Sequence, residues 1–425
     1  MMEPSVDDWL DGLEASASSY FLHEVDAETG LVRDKSDPRA PASIAGSGFA
    51  LTCYAIAAER GYTSREAAAE RTRTALRFLY DAPQGEGEDA IGAHGFFYHF
   101  LDMRTGRRVW DCELSTIDSS IFFAGALAAA QYFDRDNAIE AEIRATADAL
   151  YRRADWMWAL DDGPLVSLGW HPDKGFLRYR WSGYSEALLL YLLGLGSPSH
   201  PLPSSTYRCW CDGYKWKSLY GHDFVYAGPL FIHQLSHCWV DFRGIRDAYM
   251  RERDIDYFEN SRRATYVQRA YAAKNPRGFT EYDADCWGVS ASDGPGPAMR
   301  KVKGRLRRFW NYHARGVPYG PDDGTLSPWA LLASLPFAPE IVLPSVRAIA
   351  ARHPDLARTY GFAASFNPTF HSWISPYHFA INQGPVVAMI ENYRSDLVWR
   401  LMRNCSYILS GLHRAGFRDG WLVDR

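Results

Sequence analysis

The sequence predicts an all-α fold, an (α/α)6 toroid with about six inner helices inside about six outer helices. Segments that are apolar almost all round, as buried helices are, alternate along the chain with amphipathic segments typical of half-exposed helices. Polar and aromatic motifs recur at the N-terminal ends of the apolar segments. A chain of 425 residues, of which 47% are hydrophobic, can bury the single large core that such a toroid needs.

The alternation begins near the N-terminus. Residues 5–23 predict an acidic helix, so residues 1–40 are expected to be a helical extension of a single domain that spans 1–425. Residues 43–61 are small and apolar and predict a buried helix. Residues 63–82 predict an amphipathic helix with Ser64 as its N-cap.

The same alternation continues to the C-terminus. Further buried helices are predicted at 113–133, 183–196, 229–242, 256–273, 325–335 and 382–393. Amphipathic partners are predicted at 137–160, 339–353 and 396–412. Irregular connectors at 83–87, 197–221 and 291–321 are expected to roof one face, and no repeat of fixed period indicates a solenoid.

Charge and composition exclude several classes of partner. The formal net charge is −5 and the one basic run, residues 300–308, is short, so we predict no nucleic-acid partner. No apolar run reaches the roughly 20 residues of a membrane helix, so we predict no membrane partner. Seven scattered cysteines indicate reduced thiols, and the acidic N-terminus is unlike a signal peptide, so we expect a cytoplasmic location. The oligomeric state is not predicted.

Glu186 is the first candidate for catalysis. It lies at the N-terminal mouth of a predicted apolar helix, just after Trp181 and Tyr184. Burial there would raise its pKa, which suits a general acid near neutral pH. The alternative is a structural role, in which Glu186 caps the helix or forms an ion pair.

Other carboxylates lie in similar positions. Asp118 is one turn into the second apolar helix and Glu259 is in the motif DYFENSRR, although either could simply pair with an arginine. Asp322 and Asp323 precede a predicted helix, where an N-cap would account for one of them. Glu391 and Arg394 are spaced for a helix ion pair or for ligand binding. If the toroid brings several of them together, paired carboxylates indicate cleavage of glycosidic bonds, and aromatic residues, 15% of the chain, suit stacking on sugars.

Other chemistries find little support. His233 and His237 have the i, i+4 spacing of metal ligands but lack a nearby acidic third ligand, so we predict no metal. The sequence has no phosphate-binding loop, dinucleotide fingerprint or Gly-x-Ser-x-Gly motif. We therefore predict neither a cofactor nor a serine nucleophile.

Taken together, these motifs resemble the glucoamylase-like family whose characterised members include endo-β-1,2-glucanases, that is, glycoside hydrolase family 144 and its relatives. The resemblance runs from about residue 43 to about residue 422. The segments that carry it are SIAGSGFALTCYAI, GFFYHFLDMRTGRR, ELSTIDSS, RWSGYSEALLLYLLGLGSPSHPL, PLFIHQLSHCWVDFRGIRD, DYFENSRRAT, GVSASDGPG, DDGTLSPWALLASLPFAPE, FNPTF and QGPVVAMIENYRS.

The resemblance implies an (α/α)6 catalytic domain and β-1,2-glucan or its oligosaccharides as substrate. It implies that Glu186, in the Tyr-x-Glu motif, is the general acid, and that Asp118 has a role in binding or catalysis. Relatives have Asp before Gln-Gly-Pro, where this chain has Asn382, which cannot accept a proton. Glu259 is the candidate substitute, and it would permit a retaining, transglycosylating route.

Three functions therefore stand as predictions: a β-1,2-glucan hydrolase, a transglycosylase on the same glucans, and a catalytically weakened glucan-binding protein. The predicted catalytic residues are Glu186, Asp118 and Glu259. The predicted substrate-binding residues are Glu113, Trp181, Tyr184, His237, Tyr257, Asn260, Arg262, Asp322, Asp323, Asn382, Gln383, Glu391 and Arg394.

Overall fold

The computed structural model describes residues 5–423, and this part of the chain is mostly helical. The α-helices, labelled α1 to α14 in chain order, are Val6–His23, Ile44–Glu59, Arg65–Asp81, Thr116–Tyr132, Ala138–Arg153, Ala187–Gly196, Ser204–Cys211, Ala248–Arg251, Tyr257–Lys274, Pro328–Leu332, Pro339–Arg352, Ala380–Ser395, Leu397–Met402 and Ser406–Arg414. Turns of 3-10 helix are Trp158–Leu160, Leu230–His233, Leu235–Cys238, Pro354–Leu356 and Gly420–Leu422.

The strands are short and belong to the connectors. Labelled β1 to β17, they are Ala42–Ser43, Gly92–Ala93, Phe96–Phe97, Phe100–Leu101, Leu114–Ser115, Gly169–His171, Gly175–Phe176, Trp216–Leu219, His222–Val225, Ala291–Ser292, Ala298–Val302, Arg305–Phe309, His313–Ala314, Ala357–Arg358, Gly361–Phe362, Phe366–Asn367 and Trp373–Ile374. All pair antiparallel, and β5, β6 and β7 form a three-stranded sheet. β1 pairs with β4, and each of β1 and β5 leads directly into an apolar helix.

The core is built from helices that are buried on every side. All ten residues of α6 are buried, and so is almost all of α2 and α4. α2 packs between α4 and α12, and α4 also packs against α6. Small residues allow the close approach of α2 and α4, because a Cβ on Gly125 would lie 1.9 Å from the carbonyl oxygen of Gly48.

Helices with one polar face surround this core. α3 packs on α2 and α5, α5 packs on α4, and α1 packs on α12 and α2. The predicted starts of these helices are confirmed where the sequence carries clear N-caps. Ser5 caps α1, Ser64 caps α3 and Asn137 caps α5, each accepting a hydrogen bond from a backbone N–H three residues later.

The prediction of an α-helix at 229–242 is wrong, because this segment forms two 3-10 turns. Its polar side chains bind neighbouring elements. The Gln234 amide donates to the Ala330 carbonyl at 2.6 Å and to Ser334 at 2.7 Å. Ser236 donates to the Glu186 carbonyl at 3.2 Å and accepts from Leu189 N–H. These contacts hold the segment away from regular α-helical geometry.

Other predicted helices are shorter than expected. The helix predicted at 325–335 is reduced to α10, because Leu326 pairs with Phe366 in extended conformation and Pro328 is the first helical residue. The helix predicted at 137–160 ends at Arg153. The one predicted at 396–412 is divided into α13 and α14, and α7 and α8 were not predicted.

Two further expectations can be compared with the structure. All seven cysteines are free thiols, as predicted. None of the helices within residues 5–423 is long and apolar enough to cross a membrane.

Candidate active site

The N-terminal ends of α4 and α6 lie side by side. Leu114 and Ser115 pair with Trp170 and Gly169, which directs the chain into α4. The Trp181 indole N–H then donates to the Thr116 hydroxyl at 3.1 Å and so ties the segment that leads into α6 to the first residue of α4. The structure therefore brings the predicted residues Asp118 and Glu186 into one region.

Glu186 is the N-cap residue of α6, rather than lying one turn into it, and its backbone carbonyl accepts the Ser236 hydroxyl. Its side chain is partly exposed. Burial raises the pKa of Glu186 to about 7, and the negative charge of Asp118 adds to this rise, whereas its own backbone N–H lowers it. A carboxyl group that is half protonated near neutral pH and still reaches solvent can donate a proton to a ligand.

Asp118 lies in the first turn of α4, where Ser115 is the N-cap. The Ser115 hydroxyl accepts from Asp118 N–H at 3.2 Å and donates to Asp118 Oδ2. The Asp118 side chain is 14% exposed. These two bonds fix the orientation of the Asp118 carboxylate at the N-terminal end of α4.

His99, which was not among the predicted site residues, lies between two predicted carboxylates. Its Nδ1 is 2.9 Å from Glu113 Oε1, and its Nε2 is 3.7 Å from Asp118 Oδ1. Burial lowers the pKa of His99, but Asp118, Glu113 and Asp34 outweigh burial and raise it to about 9. The imidazole is therefore charged at neutral pH and links the two carboxylates.

Asp34 and Tyr312 extend this group. Burial raises the pKa of Asp34 to about 6, although His99 and Ser43 oppose the rise. Tyr312 comes from the connector predicted as a roof, and its ring packs against Phe379 at 5.6 Å. We call Asp34, His99, Glu113, Asp118 and Glu186 the acidic cluster.

The side chains predicted on α9 are engaged by other groups of the protein. Glu259 is half exposed and forms ion pairs with Arg263 at 2.8 Å and Arg262 at 3.9 Å. Arg262 also pairs with Glu340 at 2.9 Å. For Glu259 the structure thus favours the alternative in which it pairs with arginine. Arg262 and Arg263 follow it by three and four residues, so both side chains lie on the same face of α9.

The polar groups of Tyr257 and Asn260 form hydrogen bonds with other groups of the protein. Tyr257 is fully buried, and its hydroxyl contacts Asp247 and Tyr214, each at 2.7 Å. The Asn260 side chain is also fully buried and accepts from Val225 N–H at 2.7 Å. Tyr184 is buried against the Tyr257 ring, which leaves Trp181 as the more accessible aromatic residue before Glu186.

His237 is buried with its Nε2 3.1 Å from Ser261 Oγ, and Phe337 packs against its ring. Burial lowers the pKa of His237 to about 3 and that of His233 to about 4, so both are neutral. Within residues 5–423, no three His, Cys, Asp or Glu side chains come together in a metal-binding arrangement.

Asp322 and Asp323 form buried hydrogen bonds and ion pairs at the end of the connector 291–321. Asp323 forms a two-point ion pair with Arg315, at 2.7 and 2.9 Å, and both side chains are fully buried. Asp322 accepts from the hydroxyls of Tyr271 at 2.8 Å and Tyr282 at 2.9 Å, and burial raises its pKa. Neither residue caps the following helix, whose N-cap position is Ser327.

The residues predicted on α12 are at its two ends. Asn382 and Gln383 are in the first turn and are 1% and 3% exposed. Neither Oδ1 nor Nδ2 of Asn382 has a hydrogen-bond partner among residues 5–423. Glu391 and Arg394 are at the other end: Glu391 pairs with Arg60 at 2.5 Å, and Arg394 pairs with Glu14 at 2.6 Å. They join α12 to α1 and α2 instead of pairing with each other.

Comparison with known proteins gives a consistent set of relatives. A family model described as "Putative glucoamylase" matches residues 178–406, a span that includes Glu186 and begins after Asp118. The exo β-1,2-glucooligosaccharide sophorohydrolase (non-reducing end) of Parabacteroides distasonis is 28% identical over 440 residues. That match covers 95% of this chain, and the chain spans only 57% of the length of that relative.

Solved structures match over almost the whole chain. A crystal structure of a putative glucoamylase from Bacteroides uniformis is 32% identical, with a TM-score of 0.89, covering 99% of this chain and 100% of that one. The endo-β-1,2-glucanase of Chitinophaga pinensis, in complex with sophorotriose and glucose, is 27% identical with a TM-score of 0.84. Coverage is 98% of this chain and 99% of that chain.

Proposed function

Because this chain belongs to the family described as "Putative glucoamylase", we propose that it is a glycoside hydrolase that cleaves β-1,2-linked gluco-oligosaccharides. The observation that carries the proposal is the Glu186 carboxyl group, which reaches solvent beside Asp118 with a pKa of about 7. The β-1,2 linkage comes from the sophorohydrolase and the endo-β-1,2-glucanase that the chain resembles.

The fold that supports this site is proposed to be an (α/α)6 toroid. In this arrangement the inner elements are α2, α4, α6, residues 230–238, α10 and α12. In support of it, α2 packs on α4, α4 on α6, α6 on residues 235–238, and α12 on both α10 and α2. Gln234 contributes to this closure through its bonds to α10. The irregular segment 230–238 takes the place of the fourth inner helix. The whole chain then serves as a single catalytic domain.

In the proposed reaction, Glu186 gives its proton to the glycosidic oxygen as the bond to the anomeric carbon breaks. Positive charge develops on the sugar ring, and the Asp118 carboxylate on the neighbouring helix stabilises it. Water then attacks the anomeric carbon and loses a proton, for which we propose Asp118 as acceptor. The charged His99 already carries its proton, so it only holds Asp118 in place. After the product leaves, Asp118 gives its proton to solvent and Glu186 takes one up from solvent, which restores both groups.

This assignment gives the base role neither to Asn382 nor to Glu259. The amide of Asn382 cannot accept a proton and is buried. The Glu259 carboxylate is held by Arg263 on α9. Trp181 is proposed to contact the sugar, because its partly exposed ring is bonded to the first residue of α4 and comes five residues before Glu186.

One incubation tests the proposal. The protein is mixed with β-1,2-gluco-oligosaccharides, and product lengths are followed for the wild type, Glu186→Gln and the matched control Glu259→Gln. We expect shorter products from the wild type and the control, and a loss of at least about 100-fold in Glu186→Gln. Maltooligosaccharides serve as the comparison substrate.

Each other outcome has a definite meaning. Equal activity in Glu186→Gln would contradict the general-acid assignment. Lengthened products would replace hydrolysis with transglycosylation. Binding of the oligosaccharides without any change in their length would indicate a glucan-binding protein, and cleavage of maltooligosaccharides alone would contradict the β-1,2 linkage.

A further inference from the structure

A concave region lies next to the acidic cluster and to the β1–β4 pair, since Arg33 and Pro41 line it. It is an open cavity of about 390 Å³, lined among others by Asp26, Arg33, Arg39, Asp102, Arg104 and Trp110. This volume is in the range of small-molecule pockets, about 300–1,000 Å³. The reaction proposed above uses none of these side chains.

Two walls of the cavity are turns of the same design, DAETG at 26–30 and DMRTG at 102–106. In each turn one aspartate Oδ1 accepts from the N–H groups two and three residues later, and in the second turn it also accepts from the Thr105 hydroxyl. The turns also contact each other, since Thr29 donates to the Met103 carbonyl at 2.7 Å. The cavity therefore has fixed walls and presents carboxylate oxygens that can accept hydroxyl protons.

Trp110 forms the most exposed part of the rim. It is 69% exposed, which is unusual for a large aromatic residue. Trp110 and Asp111 both have positive φ, 58° and 49°, and Cys112 N–H bonds to the Val109 carbonyl at 3.2 Å. The backbone thus adopts a left-handed turn that costs free energy for residues other than glycine and holds the indole out in solvent.

Donor groups complete the lining. The Arg39 side chain is 86% exposed and is held by Asp37 at 3.0 Å. Arg104 is exposed, and its guanidinium has no ion-pair or hydrogen-bond partner within the described chain. An aromatic face beside guanidinium donors and carboxylate acceptors is the combination that recognises a pyranose ring with its hydroxyls.

The cavity is linked to the acidic cluster through consecutive rings. The Trp110 ring packs edge-on against Phe100 at 5.2 Å, and Phe100 stacks on His99 at 3.9 Å. Arg33, in the cavity, is the chain neighbour of Asp34, in the cluster. A sugar chain that extends from the cluster would therefore find this cavity next to it.

We propose that this cavity is an accessory carbohydrate site, which binds a glucose unit of a β-1,2-glucan stacked on Trp110. The ligand class rests on the proposed function. The glucose unit can belong to the far end of the chain in the active site or to a separate chain.

Binding is measured in the Glu186→Gln background, so that no substrate is consumed. Calorimetric titrations with sophorose and with longer β-1,2-gluco-oligosaccharides are compared for Glu186→Gln alone and with Trp110→Ala, Trp110→Phe or Tyr80→Ala added. Tyr80 is the control because it is 46% exposed and does not line the cavity. We expect Trp110→Ala to weaken binding about tenfold, Trp110→Phe to restore most of it and Tyr80→Ala to change nothing.

The chain-length series distinguishes the two sources of the glucose unit. An effect confined to longer oligosaccharides supports one chain that occupies both sites, whereas a second binding event with sophorose, lost in Trp110→Ala, supports a separate chain. Equal affinities in all variants would overturn the proposal. If wild-type protein cleaves no oligosaccharide but Trp110→Ala still weakens binding, the accessory site stands and the proposed hydrolase function fails.

Discussion

The Nε2 atom of His99 lies 3.7 Å from Oδ1 of Asp118, while its Nδ1 atom lies 2.9 Å from Oε1 of Glu113. A charged imidazole between two carboxylates fixes the orientation of both and lowers the repulsion between them. Because Asp118 is also coupled to Glu186, the position of His99 affects the general acid through one intermediate residue.

His99→Asn is therefore expected to lower kcat/KM on β-1,2-gluco-oligosaccharides by about 10- to 100-fold. The ring is held beside Asp118 by its hydrogen bond to Glu113 at 2.9 Å. A hydrogen bond between charged groups contributes about 1.5–3 kcal/mol, and about 1.4 kcal/mol corresponds to a factor of ten. Steady-state kinetics measure the loss, and thermal unfolding checks that the fold is retained. A variant with unchanged kcat/KM across the pH range would show that His99 has no part in positioning Asp118.

The pH dependence of the reaction follows from Glu186. As general acid it must be protonated, and its pKa is about 7, so kcat/KM is expected to fall as the pH rises through about 7. The charge of Asp118 contributes to that pKa. In a weakly active Asp118→Asn variant, kcat/KM should therefore begin to fall at a lower pH. A fall at unchanged pH would show that the charge of Asp118 does not affect the pKa of Glu186.

The sequence predicted those site residues that lie at the N-terminal ends of helices. Asp118 and Glu186 each follow a segment with strong aromatic or capping residues, and the structure places both at neighbouring helix ends. His99 was missed because it follows a two-residue strand in a connector, and nothing in its local sequence indicates that β1 and β5 bring it to Asp118.

A different reason applies to the predicted site residues whose side chains form ion pairs within the protein. The residue types and spacing of charged residues on α9 and α12 do not show whether their side chains bind a ligand or a neighbouring helix. The partners of Glu391 and Arg394 are Arg60, Asp11 and Glu14, which are more than 300 residues away in the chain. Pairings over such separations depend on how α1, α2 and α12 pack together, which local periodicity does not encode.

Glu259→Gln is expected to retain activity within about twofold of the wild type. Its carboxylate is 40% exposed and pairs with Arg263 at 2.8 Å, and a surface ion pair contributes only about 0.2–1 kcal/mol. Product analysis and thermal unfolding measure the two effects together. A loss comparable to that of Glu186→Gln would restore Glu259 as a nucleophile and, with it, the retaining mechanism.

Asp323→Ala is expected to destabilise the protein by about 3–5 kcal/mol, because it leaves the fully buried Arg315 charge without its partner. Asp323 also accepts from Trp310 N–H at 3.0 Å, so the connector that carries Tyr312 should loosen as well. Chemical denaturation measures the change, with Asp283→Ala as the control, since its ion pair with Arg352 is partly exposed. Equal losses in the two variants would contradict the argument from burial.

Asn382→Asp is expected to destabilise the protein, and the loss should grow with pH. Asn382 is 1% exposed, and within residues 5–423 neither polar atom of its side chain has a partner, so a carboxyl group there would be desolvated and have a raised pKa. Stability should then fall as the pH rises above about 4, the pKa of aspartate in the unfolded chain. Unfolding at pH 5 and pH 8 measures this, with Asn137→Asp, at the N-cap of α5, as a control in which the new charge favours the helix. If Asn382→Asp were as stable as the wild type at pH 8 and more active, its side chain would have to reach the active site, and the proton acceptor would be assigned to this position.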